Sequence, residues 1–113
     1  MKQINIDSLI EKIYECVERH RLSAGCYSRY TFGEGKDLGR NEYGCADAAN
    51  ILYTVGRFPS DPKERAEWIR NLQEMQNKDT GLFEEKTHHP IHTTAHCSAA
   101  LELFDAKPLY EIE

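Results

Sequence analysis

The sequence predicts an all-α fold made of two helical hairpins. Three observations carry this: apolar residues recur with helical period in four segments, amphipathic and uniformly apolar segments alternate, and the second half repeats the first in diverged form. At 113 residues the chain is read as a single domain, 1–113, with a small core. Ile6, Leu9, Ile10, Ile13 and Cys16/Val17 form one stripe and predict an amphipathic helix over residues 7–20, with Ser8-Leu9-Ile10-Glu11 as a capping box. Leu22 to Tyr43 carries Gly25, Gly33, Gly35 and Gly39 among polar residues and is read as a long loop.

Residues 44–55 hold Cys45, Ala46, Ala48, Ala49, Ile51, Leu52 and Val55, apolar on nearly every face, as in a helix buried all round. Gly56 is placed to end it in a left-handed cap. Asp61-Pro62-Lys63-Glu64 is the clearest helix start in the chain, with Asp as cap and Pro in the first helical position. The helix it opens, 62–77, places Ala66, Ile69, Leu72 and Met75/Gln76 on one stripe, with Trp68 as filler between hairpins. Asn77-Lys78-Asp79-Thr80-Gly81 is a turn, and 93–104 is a second small-residue helix.

The repeat shows in two registers. Residues 45–59 match 94–108 at an offset of 49, pairing Ala46 with Ala95, Asp47 with His96, and Leu52 with Leu101. Gly25-Cys26-Tyr27 matches Gly81-Leu82-Phe83 at an offset of 56. Repeat 1 therefore spans about 5–58 and repeat 2 about 59–108.

Net charge is −5 and no Lys/Arg cluster interrupts it, which argues against nucleic acid and against anionic membrane surfaces as partners. No run approaches the roughly 18 apolar residues of a membrane helix, and the N-terminal residues do not resemble a secretory leader. Four irregularly spaced cysteines are read as thiols of a cytoplasmic protein. The partners expected are a small-molecule substrate or a second copy of the chain.

Gln76-Asn77-Lys78-Asp79-Thr80-Gly81-Leu82-Phe83, followed by Thr94-Ala95 and Ala99-Ala100-Leu101-Glu102-Leu103, resembles the repeat of terpenoid cyclases and protein prenyltransferase β subunits. It departs from their Asp-Gly-Gly-aromatic turn by placing Thr80 at one glycine and inserting Leu82. Thr80-Gly81-Leu82-Phe83 is also similar to a turn of six-hairpin glycosidases. The resemblance implies an α/α-toroid, with outer amphipathic helices around inner buried ones and a cavity at one end of the inner ring. Two hairpins leave inner-helix surface bare, so the toroid is expected to be incomplete or self-associating.

Asp47 and His96 fall opposite each other near the starts of the two small-residue helices and are the candidate catalytic pair, a carboxylate beside an imidazole for acid/base work. Tyr27, Tyr30, Phe32 and Tyr43 flank the Gly-rich loop and offer rings to a sugar or an isoprenoid, and His92 joins Tyr27, Tyr30 and Tyr43 as a substrate-binding candidate. The competing reading makes His88 and His89 loop residues, His92 a helix cap and His96 a hydrogen-bonded interior histidine. No cofactor and no metal site is assigned: His-Glu-x-x-His and paired Cys-x-x-Cys are missing, and a zinc site from Asp47, His92, His96 and the cysteines Cys45 and Cys97 is kept only as a third reading. Whether the chain is an enzyme or a scaffold that kept the repeat without the chemistry stays open at this point.

Overall fold

The computed structural model describes residues 5–31 and 38–112. Four helices hold about half of these residues: α1 (Ile6–Glu18), α2 (Glu42–Thr54), α3 (Pro62–Glu74) and α4 (Pro90–Leu103). Between α1 and α2 an antiparallel pair, β1 (Arg21–Ser23) and β2 (Cys26–Tyr27), corrects the expectation of a purely α chain with an irregular loop from Leu22. Gly25, at φ +71°, makes the reversal that pairs Ser23 with Cys26 and Arg21 with Tyr27. Phe32 and Gly33 to Lys36 lie outside the described residues.

Each helix starts on a side-chain acceptor. Asn5 accepts from the Ser8 amide, Asn41 from Gly44, Asp61 from Glu64 and His89 from Ile91, all at 3.0–3.1 Å. Only Asp61 was legible as a cap. Asn5 replaces the Ser8 capping box, Asn41 starts α2 two residues early, and His89 rather than His92 caps α4. α3 stops at Glu74 instead of 77 because Gln76 leaves the helix to bridge Phe83 in antiparallel fashion.

The burial of the outer helices also differs from the sequence pattern. In α1 only Val17, near the C-terminal end, is buried, while Ile6 and Leu9 remain 58% and 47% exposed. In α3 the inward face is Trp68, Asn71 and Leu72, with Ala66 outside. Trp68 is the largest fully buried side chain and stacks with Tyr27 and Phe104, at ring separations of 4.9 and 5.5 Å.

α2 is the hub: it packs against α1, β2, α3 and α4, and its most extensive partner is α4. The hydrogen-bonded pairs Tyr43–His92 and Asp47–His96 are both separated by 49 residues, so α2 and α4 run parallel and in register. Matching bonds recur in the two halves, offset by 56 residues at the donor and 49 at the acceptor. The Tyr27 amide donates to Cys45 Sγ at 3.4 Å, and the Phe83 amide donates to Thr94 Oγ1 at 2.8 Å. After α2 the chain turns through Gly56 at φ +77°, with Arg57 N–H donating to Leu52 O; after α4 it turns through Asp105 at φ +59°, with Ala106 N–H donating to Leu101 O. The principal extents are 55 × 32 × 27 Å, and the radius of gyration, 14.9 Å, exceeds the ~13 Å of a compact chain of this size, as a side-by-side array requires.

Candidate functional site

The N-terminal halves of α2 and α4 bring Tyr43, Asp47, His92 and His96 together. His96 Nε2 lies 2.7 Å from Asp47 Oδ1, a bond in which the imidazole donates to the carboxylate. His96 is part-buried and Asp47 is more exposed, at 28% and 56% of their side chains. The Tyr43 hydroxyl lies 2.6 Å from His92 Nδ1 and 3.2 Å from Thr93 Oγ1. The Tyr43 ring stacks on His88 at 4.2 Å and on His96 at 5.2 Å between centroids, and His88, His92 and His96 follow one another at 5.5 and 6.3 Å.

Beside this column a cleft of about 470 Å³ opens between the C-terminal end of α1 and α2. Its wall is formed by Cys16, Val17 and His20 from α1 and the residues just after it, Arg29 and Tyr30 after β2, Tyr43, Gly44, Asp47, Ala48 and Ile51 from α2, and His88. That volume is in the range of small-molecule sites. Gly44 is dictated by packing, since a Cβ there would sit 2.6 Å from Ser28 O and push α2 off β2.

The cleft gathers a second set of residues that sequence reasoning missed. Arg29 Nη1 donates to Thr87 Oγ1 at 2.6 Å and lies 3.2 Å from the Glu85 carboxylate, with its guanidinium 5.6 and 5.7 Å from the ring centres of Tyr30 and Tyr43. Glu85, 6% exposed, also holds Thr87 and His88, so the 85–88 loop is pinned over Tyr43. The Glu85-x-x-His88 spacing was the available signal for the acid–imidazole pair, whereas nothing near Arg29 marked it, because its partners are more than fifty residues away.

Burial raises the Glu85 carboxyl, but hydrogen bonds from Thr87 and His88 and the charge of Arg29 outweigh it and leave its pKa below the ordinary value. A depressed carboxylate stabilises the fold above its unfolded pKa, and that contribution disappears as pH falls through the folded value. The melting-temperature difference between wild type and Glu85→Gln is therefore expected to be constant above about pH 6 and to shrink toward zero below about pH 4. A difference that stayed constant into acid would show that Glu85 is not ionised in this link. Glu42, at the start of α2, is shifted the other way by burial.

Of the predicted substrate-binding residues, Tyr30 and Tyr43 line the cleft. Tyr27 does not: it is 2% exposed, packed on Trp68, and its hydroxyl donates to Glu18 on a separate groove. His92 is exposed and meets the cleft through its contacts with Tyr43 and His88. Asp47 lines the cleft and His96 stands behind it. Cys45 and Cys97 are buried, with Sγ directed at the Tyr27 and Glu42 backbone oxygens, and burial pushes both thiols up to about 12. Among the described residues no three His, Cys, Asp or Glu side chains converge in a way that would hold a metal ion. No described helix is long and apolar enough to cross a membrane. Comparison with protein-family models, curated proteins and solved structures gives no match for this chain.

Proposed function

We propose that the chain is a pair of α/α-toroid hairpins whose cleft binds a carbohydrate and positions it for proton transfer by Asp47 and His96. The observation that carries this reading is the Asp47–His96 hydrogen bond at the wall of a cleft that also presents Tyr30 and Tyr43. Oδ1 of Asp47 is taken by His96, which leaves Oδ2 to accept from a ligand hydroxyl, while His96 orients the carboxylate and holds a proton next to it. Tyrosine rings offer apolar faces to sugar rings, and Arg29, His20 and His88 supply polar groups around them.

The wall mixes apolar side chains with an aspartate, an arginine and two histidines, groups that the hydroxyls of a sugar can pair with and an isoprenoid would leave unused. Two-carboxylate glycoside hydrolysis also lacks support, because Asp47 is the one carboxylate among the described lining residues and that mechanism needs two flanking the scissile bond. The parallel, in-register packing of α2 and α4 and the repeated turn bonds support the toroid part of the reading.

The test is incubation with a panel of oligosaccharides, following product formation. Asp47→Ala and His96→Ala are expected to lower turnover roughly 10²- to 10⁴-fold. Their melting curves should barely move, because an exposed ion pair contributes only about 0–1 kcal/mol. A wild type that neither binds nor converts any sugar, with both variants changing stability alone, would favour the scaffold reading instead.

A further inference from the structure

Arg70 directs Nε and Nη2 to Glu67 and Nη1 to Glu74, so its whole guanidinium is engaged by carboxylates. Arg29 is held differently. Its polar contacts, to Thr87 Oγ1 at 2.6 Å and to the Glu85 carboxylate at 3.2 Å, both run through Nη1, and among the described residues Nε and Nη2 make none. The Thr87 hydroxyl sends its own proton to Glu85 Oε2, which leaves its oxygen to accept from Arg29. Arg29 lines the cleft, whereas Glu85 and Thr87 do not, so the groups that anchor the guanidinium stay outside the ligand space.

The rings beside it fix the remaining freedom. The guanidinium carbon lies 5.6 and 5.7 Å from the ring centres of Tyr30 and Tyr43, which share the cleft wall with it. A guanidinium held at one nitrogen and against two rings is oriented before a ligand arrives, which lowers the entropy lost on binding. Asp47 sets the polarity along the wall. It lies one turn further along α2 than Tyr43, about 6 Å along the axis, and its carboxylate accepts from hydroxyls but repels an anion. Glu85 balances the charge of Arg29, so recognition there works through short hydrogen bonds and not through a long-range field.

We infer that the cleft takes a sugar bearing an oxyanion, a carboxylate or a phosphate, whose oxygens accept from Nε and Nη2 of Arg29. The sugar ring then lies against Tyr30 and Tyr43, and its hydroxyls reach Asp47. Two N–H groups in one plane match two oxygens of either anion. The inference rests on the carbohydrate reading for the sugar and on Arg29 for the anion.

The experiment is titration of wild type with glucose, glucuronamide, glucuronate, glucose 6-phosphate and inorganic phosphate, followed by amide and arginine Nε–H chemical shifts. Glucuronate or glucose 6-phosphate is expected to bind about 10- to 100-fold more tightly than glucose and glucuronamide and to move the Arg29 Nε–H signal. Which of the two gains distinguishes a sugar acid from a sugar phosphate. Arg29→Gln should bring the anionic sugars down to the affinity of glucose. Because Arg29 also holds the 85–88 loop, the comparison of glucuronate with its neutral amide on wild type carries the test without any substitution. Inorganic phosphate binding at Arg29 as tightly as the anionic sugars would keep the anion site and remove the carbohydrate reading. Equal affinity for anionic and neutral sugars would overturn the inference and leave the carbohydrate reading standing. So would anions that bind without moving the Arg29 signal. No shift with any probe at about 10 mM would overturn both.

Discussion

Gly81→Ala is expected to destabilise the protein by roughly 2–5 kcal/mol, read as a fall in the urea midpoint at constant slope. Gly81 sits at φ +78°, a left-handed conformation that costs an L side chain about 1–2 kcal/mol. A Cβ there would also run into the backbone of Glu111 and Ile112, which crosses directly over it, and overpacking adds about 1–3 kcal/mol. The segment is tied down by Gln76, whose amide donates to Gly81 O and Tyr110 O and whose carbonyl accepts from the Tyr110 amide. Gly56→Ala is the internal control. Its φ, +77°, is nearly the same but nothing lies within 4 Å, so it should cost only the conformational part, about 1–2 kcal/mol. Equal losses for the two variants would contradict the crowding argument.

Trp68→Ala is expected to cost about 3–5 kcal/mol, the usual range for emptying a large aromatic site in a core. Trp68 is fully buried between Tyr27 and Phe104 and crosses Gly25, whose added Cβ would lie 2.5 Å from the Trp68 Cα. Its removal therefore loosens both hairpins at once. The indole Nε1 is buried without a hydrogen-bond partner among the described residues, an arrangement that itself costs about 1–3 kcal/mol. Trp68→Phe deletes that orphan donor while keeping an aromatic ring in the site, so it should lose less than Trp68→Ala. Thermal unfolding of the two variants side by side decides it, and a Phe variant as unstable as the Ala variant would contradict it.

How much of this was legible in the sequence depends on what each feature needs. The small-residue helices and the placement of Asp47 opposite His96 were readable, because both follow from the spacing of side chains along α2 and α4. Helix starts were readable only at Asp61, where Pro62 and Glu64 reinforce the cap. Asn5, Asn41 and His89 carry no such reinforcement and compete with neighbouring polar residues for the same role. The strand pair was hidden because it is five residues in total, set by one glycine and a few backbone bonds rather than by alternating side chains. Tyr27 was misplaced because an aromatic beside a Gly-rich stretch reads the same whether it turns outward to a ligand or inward onto Trp68. The Arg29–Glu85–His88 arm depended on two loops distant in the chain meeting over Tyr43.

The proposal that the cleft beside Asp47 and His96 is a carbohydrate site is tested most directly by amide chemical-shift mapping during titration with a panel of mono- and oligosaccharides. The account predicts saturable shifts at Arg29, Tyr30, Tyr43, Gly44, Asp47 and His88, lost in Asp47→Asn. Shifts confined to other surfaces, or none at about 10 mM sugar, would contradict it.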